Sequence, residues 1–413
     1  MSCDCFSEQQ FLSVEQAINN IVDNIEAITE FEEVNLDQAL NRVLFADQVS
    51  PVQVPPHDNS AMDGYAVNFD SLATSTTTKL IGKSMAGEPY FGTCGLGECV
   101  RIMTGAVIPD GCDTVIMQEH CQVEGDKVSF LKDVRKAQNV RFAGEDIDNA
   151  QTILHRGKRL NAIDIALLAS VGIASVKVYR KIKVALIATG DELKAAGQPL
   201  SAGDIYESNG HFLKHMLAKI NADVIDYGII ADDFDLIKQA FCDADEAADV
   251  VISSGGVSVG DADYTKMVLD DIGKIGFWKI SMKPGKPLAF GLLPNSTFFG
   301  LPGNPVSAAV TFYQIAMQGI TKIAGATPIK RMRLPAVTLT ELRKAPGRTD
   351  FQRGNYHVDE SGRVVVKTTG TQGSGVLSSI GRANCFIIMD KDQGGVSAGE
   401  SVVIEPFDAL LGD

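Results

Sequence analysis

From Lys183 onward the chain alternates short apolar runs with amphipathic helical stretches, and few folds accept that order. Strand-like runs at residues 184–188, 224–230 and 250–252 are separated by helical patterns at 210–220 and 234–248. Strands this apolar are buried on both faces, which requires helices on both sides of a sheet. The pattern predicts a three-layer α/β domain with a mostly parallel sheet over residues 182–329. In such sheets ligands bind beyond the carboxyl ends of the strands. Thr189-Gly190-Asp191-Glu192, Asp232-Asp233 and the segment from Ser253 to Asp263 all fall at those ends, so three strand ends should share one crevice.

The flanks read differently. Ser13 with Gln16 three residues on begins a capped helix whose stripe is Val14, Ala17, Ile18, Ile21, Val22 and Ile25. A second helical piece is expected around residues 37–46, and a third over 161–170. Between them, short β-rich runs alternate with Gly, Pro and Asp turns. We therefore expect a discontinuous, elongated helical domain (1–50 and 144–181) with an inserted β-rich domain (51–143). A small C-terminal β domain should occupy 330–413. The fold class is multidomain, α/β plus β.

With 413 residues, 45% of them apolar, the chain can fill several cores. A formal charge of −15 argues against nucleic acid or an anionic membrane as the main partner. The amino terminus lacks a basic, apolar leader pattern and no run of 18 apolar residues occurs, so a cytoplasmic location is expected. Eight cysteines without a Cys-x-x-Cys pair fit reduced thiols better than a zinc site or a disulfide framework. His211 and His215 share a helix face, with no third ligand nearby to make a metal site. Gly82-Lys83-Ser84 has Thr77 where a P-loop needs glycine, and no Gly-x-Gly-x-x-Gly follows a strand.

Within this acidic chain, no Asp or Glu lies between Asp271 and Glu341, while Lys274, Lys279, Lys283 and Lys286 crowd the start of that interval. Just before it, Ser253, Gly255 and Gly256 can bring main-chain N–H groups close to a phosphate. Asp261 and Asp263 are hard oxygen ligands suited to Mg²⁺. A flexible turn in which Asp263 merely caps the next helix accounts for the same residues. Further on, prolines stiffen the loop that carries Lys283 and Lys286. In Pro302-Gly303-Asn304-Pro305-Val306-Ser307, Asn304 suits an N-cap and Pro305 the first helical position, which aims a positive helix end at the crevice. An ordinary capped core helix and solvated lysines remain alternatives.

Taken together, the segments 58–66, 101–106, 144–147, 189–192, 253–266, 283–287 and 301–307 resemble those of MoeA-type molybdopterin molybdenumtransferases, the family that includes the gephyrin C-terminal domain. The resemblance spans nearly the whole chain. It implies a four-domain homodimer that inserts molybdate into adenylated molybdopterin, releases AMP with Mg²⁺, and so forms molybdenum cofactor. It implies transient contacts with a molybdopterin adenylyltransferase and with acceptors of the cofactor. Asp261 and Asp263 would hold Mg²⁺, and Glu192 and Asp232 would complete the acidic wall. Lys279, Lys283 and Lys286 would neutralise phosphate or molybdate. Ser253, Gly255, Gly256, Pro302, Pro305 and Ser307 would line the anion cradle. Asp63, Thr104, Arg141 and Asp146 would come from the dimer partner, and Arg353 and Ser378 would reach molybdate from the C-terminal domain. Two other readings are a related adenylyltransferase and a gephyrin-like peptide-binding scaffold.

Overall fold

Apolar runs with alternating faces build the central sheet, and both faces are covered. The computed structural model describes residues 11–256, 264–328 and 330–412. Seven strands lie in the order Phe11–Leu12, Lys274–Ile280, Pro287–Leu292, Thr297–Leu301, Val250–Ser254, Lys183–Thr189, Asp223–Ile230. The last four are mutually parallel, while Pro287–Leu292 runs antiparallel to both its neighbours. Val184, Leu186, Val250 and Ile252 face one core with Leu213, Leu217, Phe312 and Ile320, and Ala185, Ile187 and Val251 face another with Ile237, Phe241 and Val268. The helices behind these cores are Asn209–Lys219 and Pro305–Thr311, continued through a π turn into Met317–Ile323, on one side. Phe234–Ala247 and Tyr264–Ile272 cover the other.

The capped helix at Ser13 is present as Val14–Asp23, with both halves of its capping box formed. It does not stand with the rest of the N-terminal region. Phe11–Leu12 adds an edge strand beside Lys279 and Ile280, and Ile21 packs where a side chain on Gly319 would clash, so residues 11–25 belong to the α/β unit. Residues 37–46 form only a 3-10 turn, Leu36–Gln38, rather than a longer helix. Asn41 sits at φ 63, which stops a right-handed helix, and Val43 and Leu44 instead bridge to Arg159 and Val178. The region expected to be helical thus holds the helix Ala162–Ser170 together with an antiparallel pair, Phe31–Asn35 with Ser175–Tyr179.

The β module is a six-stranded sheet with Glu98–Ile102 and Thr77–Ser84 at its centre. Toward the carboxyl end, Thr349–Val358, Val364–Thr368, Leu334–Thr338, Ser401–Pro406 and Cys385–Met389 close on themselves, because Thr349–Val358 pairs with both Val364–Thr368 and Cys385–Met389. Closure removes free sheet edges. A two-residue strand, Met282–Lys283, joins this barrel to the α/β unit by pairing with Thr349 and Asp350. No helix among the described residues is long and apolar enough to cross a membrane.

Candidate functional site at the carboxyl ends of the sheet

The parallel strands end in residues that leave room for a ligand. Gly255 has φ +100, and a Cβ there would stand 2.7 Å from the Thr189 carbonyl oxygen. Gly256 follows at φ +64. Only glycine accepts this close, left-handed turn. Asn209, at the start of its helix, donates through Nδ2 to Ser254 Oγ at 2.7 Å and to the Gly303 carbonyl at 2.8 Å. One buried amide thereby ties the strand end to the loop before the Pro305 helix. Between them lies a cavity of about 960 Å³, walled by Thr189, Glu192, Asn209, Asp232, Ser254, Gly255, Gly256, Pro302 and Pro305. Gly375 of the C-terminal barrel closes one side, where the Ser374 carbonyl accepts the Val306 N–H at 3.0 Å.

The acidic wall is electrostatically crowded. Asp232 has its pKa raised, first by burial and then by the charge of Asp191, with Glu192 adding to it. Its main-chain N–H donates to Asp191 Oδ1 at 3.0 Å. Among the described residues no three metal-ligating side chains converge. Asp261 and Asp263 lie outside the described residues.

Several sequence expectations need correction. Ser253 is fully buried and its hydroxyl has no partner, because side chains alternate along a strand and the crevice side falls to Ser254. Ser307 is likewise buried in its helix and is not among the wall residues. Arg353 does not reach toward an anion. Its guanidinium is fully buried and donates to Ser379 Oγ (3.1 Å), the Phe351 carbonyl (3.2 Å) and the Gly373 carbonyl (3.3 Å). Burial lowers its pKa to about 10. It anchors the loop that carries Ser374 and Gly375, while Ser378 is exposed and accepts Arg382 Nε at its carbonyl.

Lys279, Lys283 and Lys286 are exposed and are not wall residues of the cavity. The backbone that carries them runs next to the wall. Lys279 is in register with Pro287, which does line the wall, and the loop between them emerges on the side where Thr297–Leu301 ends. Lys283 Nζ is 3.6 Å from Asp350 Oδ2, and Lys286 Nζ lies 5.5 Å from the Phe11 ring centroid.

A second cluster stands on the β module. Asp63 Oδ1 accepts both the main-chain N–H and the hydroxyl of Thr104, each at 2.8 Å, and these bonds hold its pKa below the usual aspartate value. Arg141 is exposed in a short strand paired with Asn59–Ser60, and Asp146 is held through its N–H to the Val54 carbonyl. None of these four residues lines the cavity.

Asn209 escaped the sequence reading. Its partners are 45 and 94 residues away, so the only local signal is a polar Ser208-Asn209-Gly210 opening to an apolar helix.

Residues 12–172 match the MoeA N-terminal region (domain I and II), 185–322 a probable molybdopterin binding domain, and 335–407 the MoeA C-terminal region (domain IV). A molybdopterin molybdenumtransferase of Haemophilus influenzae is 46% identical, covering 97% of this chain and all 100% of its own length. One from a Nostoc species is 33% identical over 94% of this chain and 91% of that protein. A solved molybdopterin biosynthesis MoeA protein from Pyrococcus horikoshii is 29% identical and superposes with a TM-score of 0.83, covering 96% of this chain and 100% of that one.

Proposed function

We propose the chemistry of the crevice from one premise: the chain belongs to the MoeA family of molybdopterin molybdenumtransferases. Its reaction is the insertion of molybdate into adenylated molybdopterin, with release of AMP. Relatives align along nearly the full chain, which favours this activity over that of an adenylyltransferase. The observation that carries the reading is the cavity itself. A glycine turn, an acidic wall and a helix start meet at the carboxyl ends of parallel strands.

Gly255 and Gly256 let the backbone approach the pterin phosphate, and the helix beginning at Pro305 adds its positive end. Lys279, Lys283 and Lys286 supply positive charge at the rim for molybdate and the phosphoanhydride. Glu192 and Asp232 form the opposite wall. The crowding that raises the Asp232 pKa is relieved by a cation, and carboxylate oxygens suit Mg²⁺. Asp261 and Asp263 are the residues assigned to hold it. Bound there, Mg²⁺ supplies charge neutralisation at the phosphoanhydride.

The working form we infer is a homodimer. The helix Ala162–Ser170 is apolar nearly all round, yet Ile163 is 76% exposed and Ala162, Ala166 and Ala169 are exposed with it. A helix of that composition is normally covered. In such a homodimer Asp63, Thr104, Arg141 and Asp146, which line no wall of the cavity in their own chain, would serve the crevice of the neighbour. Contacts with an adenylyltransferase that delivers the substrate, and with acceptors of the cofactor, belong to the same reading, as does a cytoplasmic setting.

The decisive assay supplies adenylated molybdopterin, Mg²⁺ and molybdate and follows AMP. Molybdate-dependent release is expected from the wild type, and Asp263→Ala should lower it about 100-fold or more, the scale of losing a metal-centred contribution to the barrier. Equal release from both proteins would remove Asp263 from the mechanism.

A further inference from the structure

Asp350 is a carboxylate without an evident reason to be where it is. It is 2% exposed, and Oδ1 is buried with no hydrogen-bond partner. Oδ2 accepts Gln352 Nε2 at 3.2 Å, an amide that also donates to the Arg343 carbonyl at 3.0 Å. Two other cations stand near, but their donors are committed. Arg353 binds Ser379, Phe351 and Gly373 as described, and Lys344 Nζ donates to the carbonyls of Gln393 (2.6 Å) and Lys391 (3.2 Å). The ion-pair partner of Asp350 is Lys283, whose ammonium is 3.6 Å away and whose side chain is 47% exposed against 3% for the aspartate.

A buried carboxylate is strongly unfavourable unless a cation and good hydrogen bonds compensate it. This one is poorly bonded, so its demand for positive charge falls on a lysine from another domain. The backbone fixes the two together. Lys283 and Asp350 are direct partners across a parallel bridge, and the Thr349 N–H donates to the Ser281 carbonyl at 2.9 Å. The lysine loop is confined on its other side as well, because a Cβ on Gly285 would stand 2.3 Å from Thr311 Oγ1. A long, freely rotating side chain is thus tethered at one end by the sheet and at the other by a charge. A separation of 3.6 Å leaves the ammonium N–H groups open to a second anion on the solvent side.

We propose that Asp350 is a positioning residue for Lys283: the C-terminal barrel lends a buried carboxylate that keeps the lysine's ammonium at the crevice edge for an anionic substrate. The inference rests on the assignment of Lys283 to substrate charge made above. It also gives the barrel a part in the reaction beyond closing one wall of the cavity.

Molybdate-dependent AMP release is measured with both anionic substrates varied, for Lys283→Gln, Asp350→Asn and the double variant. Thermal unfolding of each is followed in parallel. Lys283→Gln should raise KM for one anionic substrate. Asp350→Asn should raise that same KM about 10-fold with kcat changed far less, and should add nothing once Lys283 is gone, as expected for residues acting through one contact. A purely structural Asp350 would lower the amount of active protein, leave KM alone, and multiply the Lys283→Gln defect; that pattern overturns the proposal. A normal Lys283→Gln enzyme removes the lysine, and the role of Asp350 with it. A defective Lys283→Gln beside a normal Asp350→Asn removes Asp350 only. Should Asp350→Asn not fold, Asp350→Glu keeps the charge one methylene away; a raised KM supports the proposal and an unchanged one sinks it.

Discussion

Asp232 and Asp63 are both assigned to one reaction, yet the molecule holds them in opposite ways. Asp232 stands at a strand end beside Asp191 and Glu192, where burial and like charges raise its pKa. Asp63 accepts two bonds from Thr104, which lower its own. The first region has unmet demand for positive charge and so invites a cation. The second is already satisfied, and can serve the chemistry only by presenting a fixed negative charge. They differ in completeness too. The crevice is walled by one chain, whereas the Asp63 corner lies off that wall and, in the homodimer proposed above, would become part of a neighbour's site.

The sharpest way to break the comparison is to separate the two regions. Ile163→Asp places a charge on the exposed apolar face of helix Ala162–Ser170, where covering it would bury an unpaired carboxylate. The variant should sediment as a monomer. Because the Asp63 corner would then face no crevice, AMP release should fall about 100-fold or more, in line with losing several oriented groups at once. A fully active monomer would mean that the α/β crevice suffices alone.

How much of this was legible beforehand depended on whether a signal was local. Strands Lys183–Thr189 and Val250–Ser254 and helix Phe234–Ala247 follow from unbroken apolar patterns. The ten-residue strand Thr349–Val358 did not stand out, because Asp350, Gln352 and Arg353 are polar and buried, and their partners lie in contacts the sequence does not display. The two-residue edge strand Phe11–Leu12 exists only through a partner more than 250 residues away. In the site, Gly255 and Gly256 were readable because left-handed turns select glycine. The choice between Ser253 and Ser254 needed the parity of the strand. The reading of Arg353 went wrong because an exposed anion ligand and a buried loop anchor use the same guanidinium chemistry.

The second test leaves both regions together and removes charge from one. Asp232→Asn should lower AMP release about 10-fold, the lower end of the scale for a residue that supports a metal site. Its effect on stability should have the opposite sign. When a carboxyl's folded pKa lies above its unfolded value, the native state holds more protons in that window, and stability falls as pH rises through it. At neutral pH the ionised Asp232 is therefore a burden, and Asp232→Asn should unfold slightly later, on the order of 1 °C for a partly solvated group. The difference should vanish in acid, below the ordinary aspartate range. Added Mg²⁺ should raise the unfolding temperature of the wild type more than that of the variant. Equal shifts would detach Asp232 from the metal.

The smallest effect should come from the other carboxylate. Thr104→Val deletes the hydroxyl bond to Asp63 and keeps the main-chain one. Because Asp63 has a lowered folded pKa, whatever stability it contributes is present above the unfolded value of about 3.8 and lost as pH falls through the folded one. Near neutral pH the variant should therefore be slightly less stable than the wild type, and the difference should fade in acid as the carboxyl protonates in both. Its Asp63 should titrate at higher pH, partway back to the ordinary value, as read from the side-chain carboxyl carbon by NMR. Activity should fall only about 3-fold, since a charge that stays ionised at the working pH loses orientation and keeps its sign. An unmoved titration would mean that the main-chain N–H of Thr104 holds Asp63 alone. The contrast with Asp232 would then rest on the fold of the Thr104 turn instead of on its side chain.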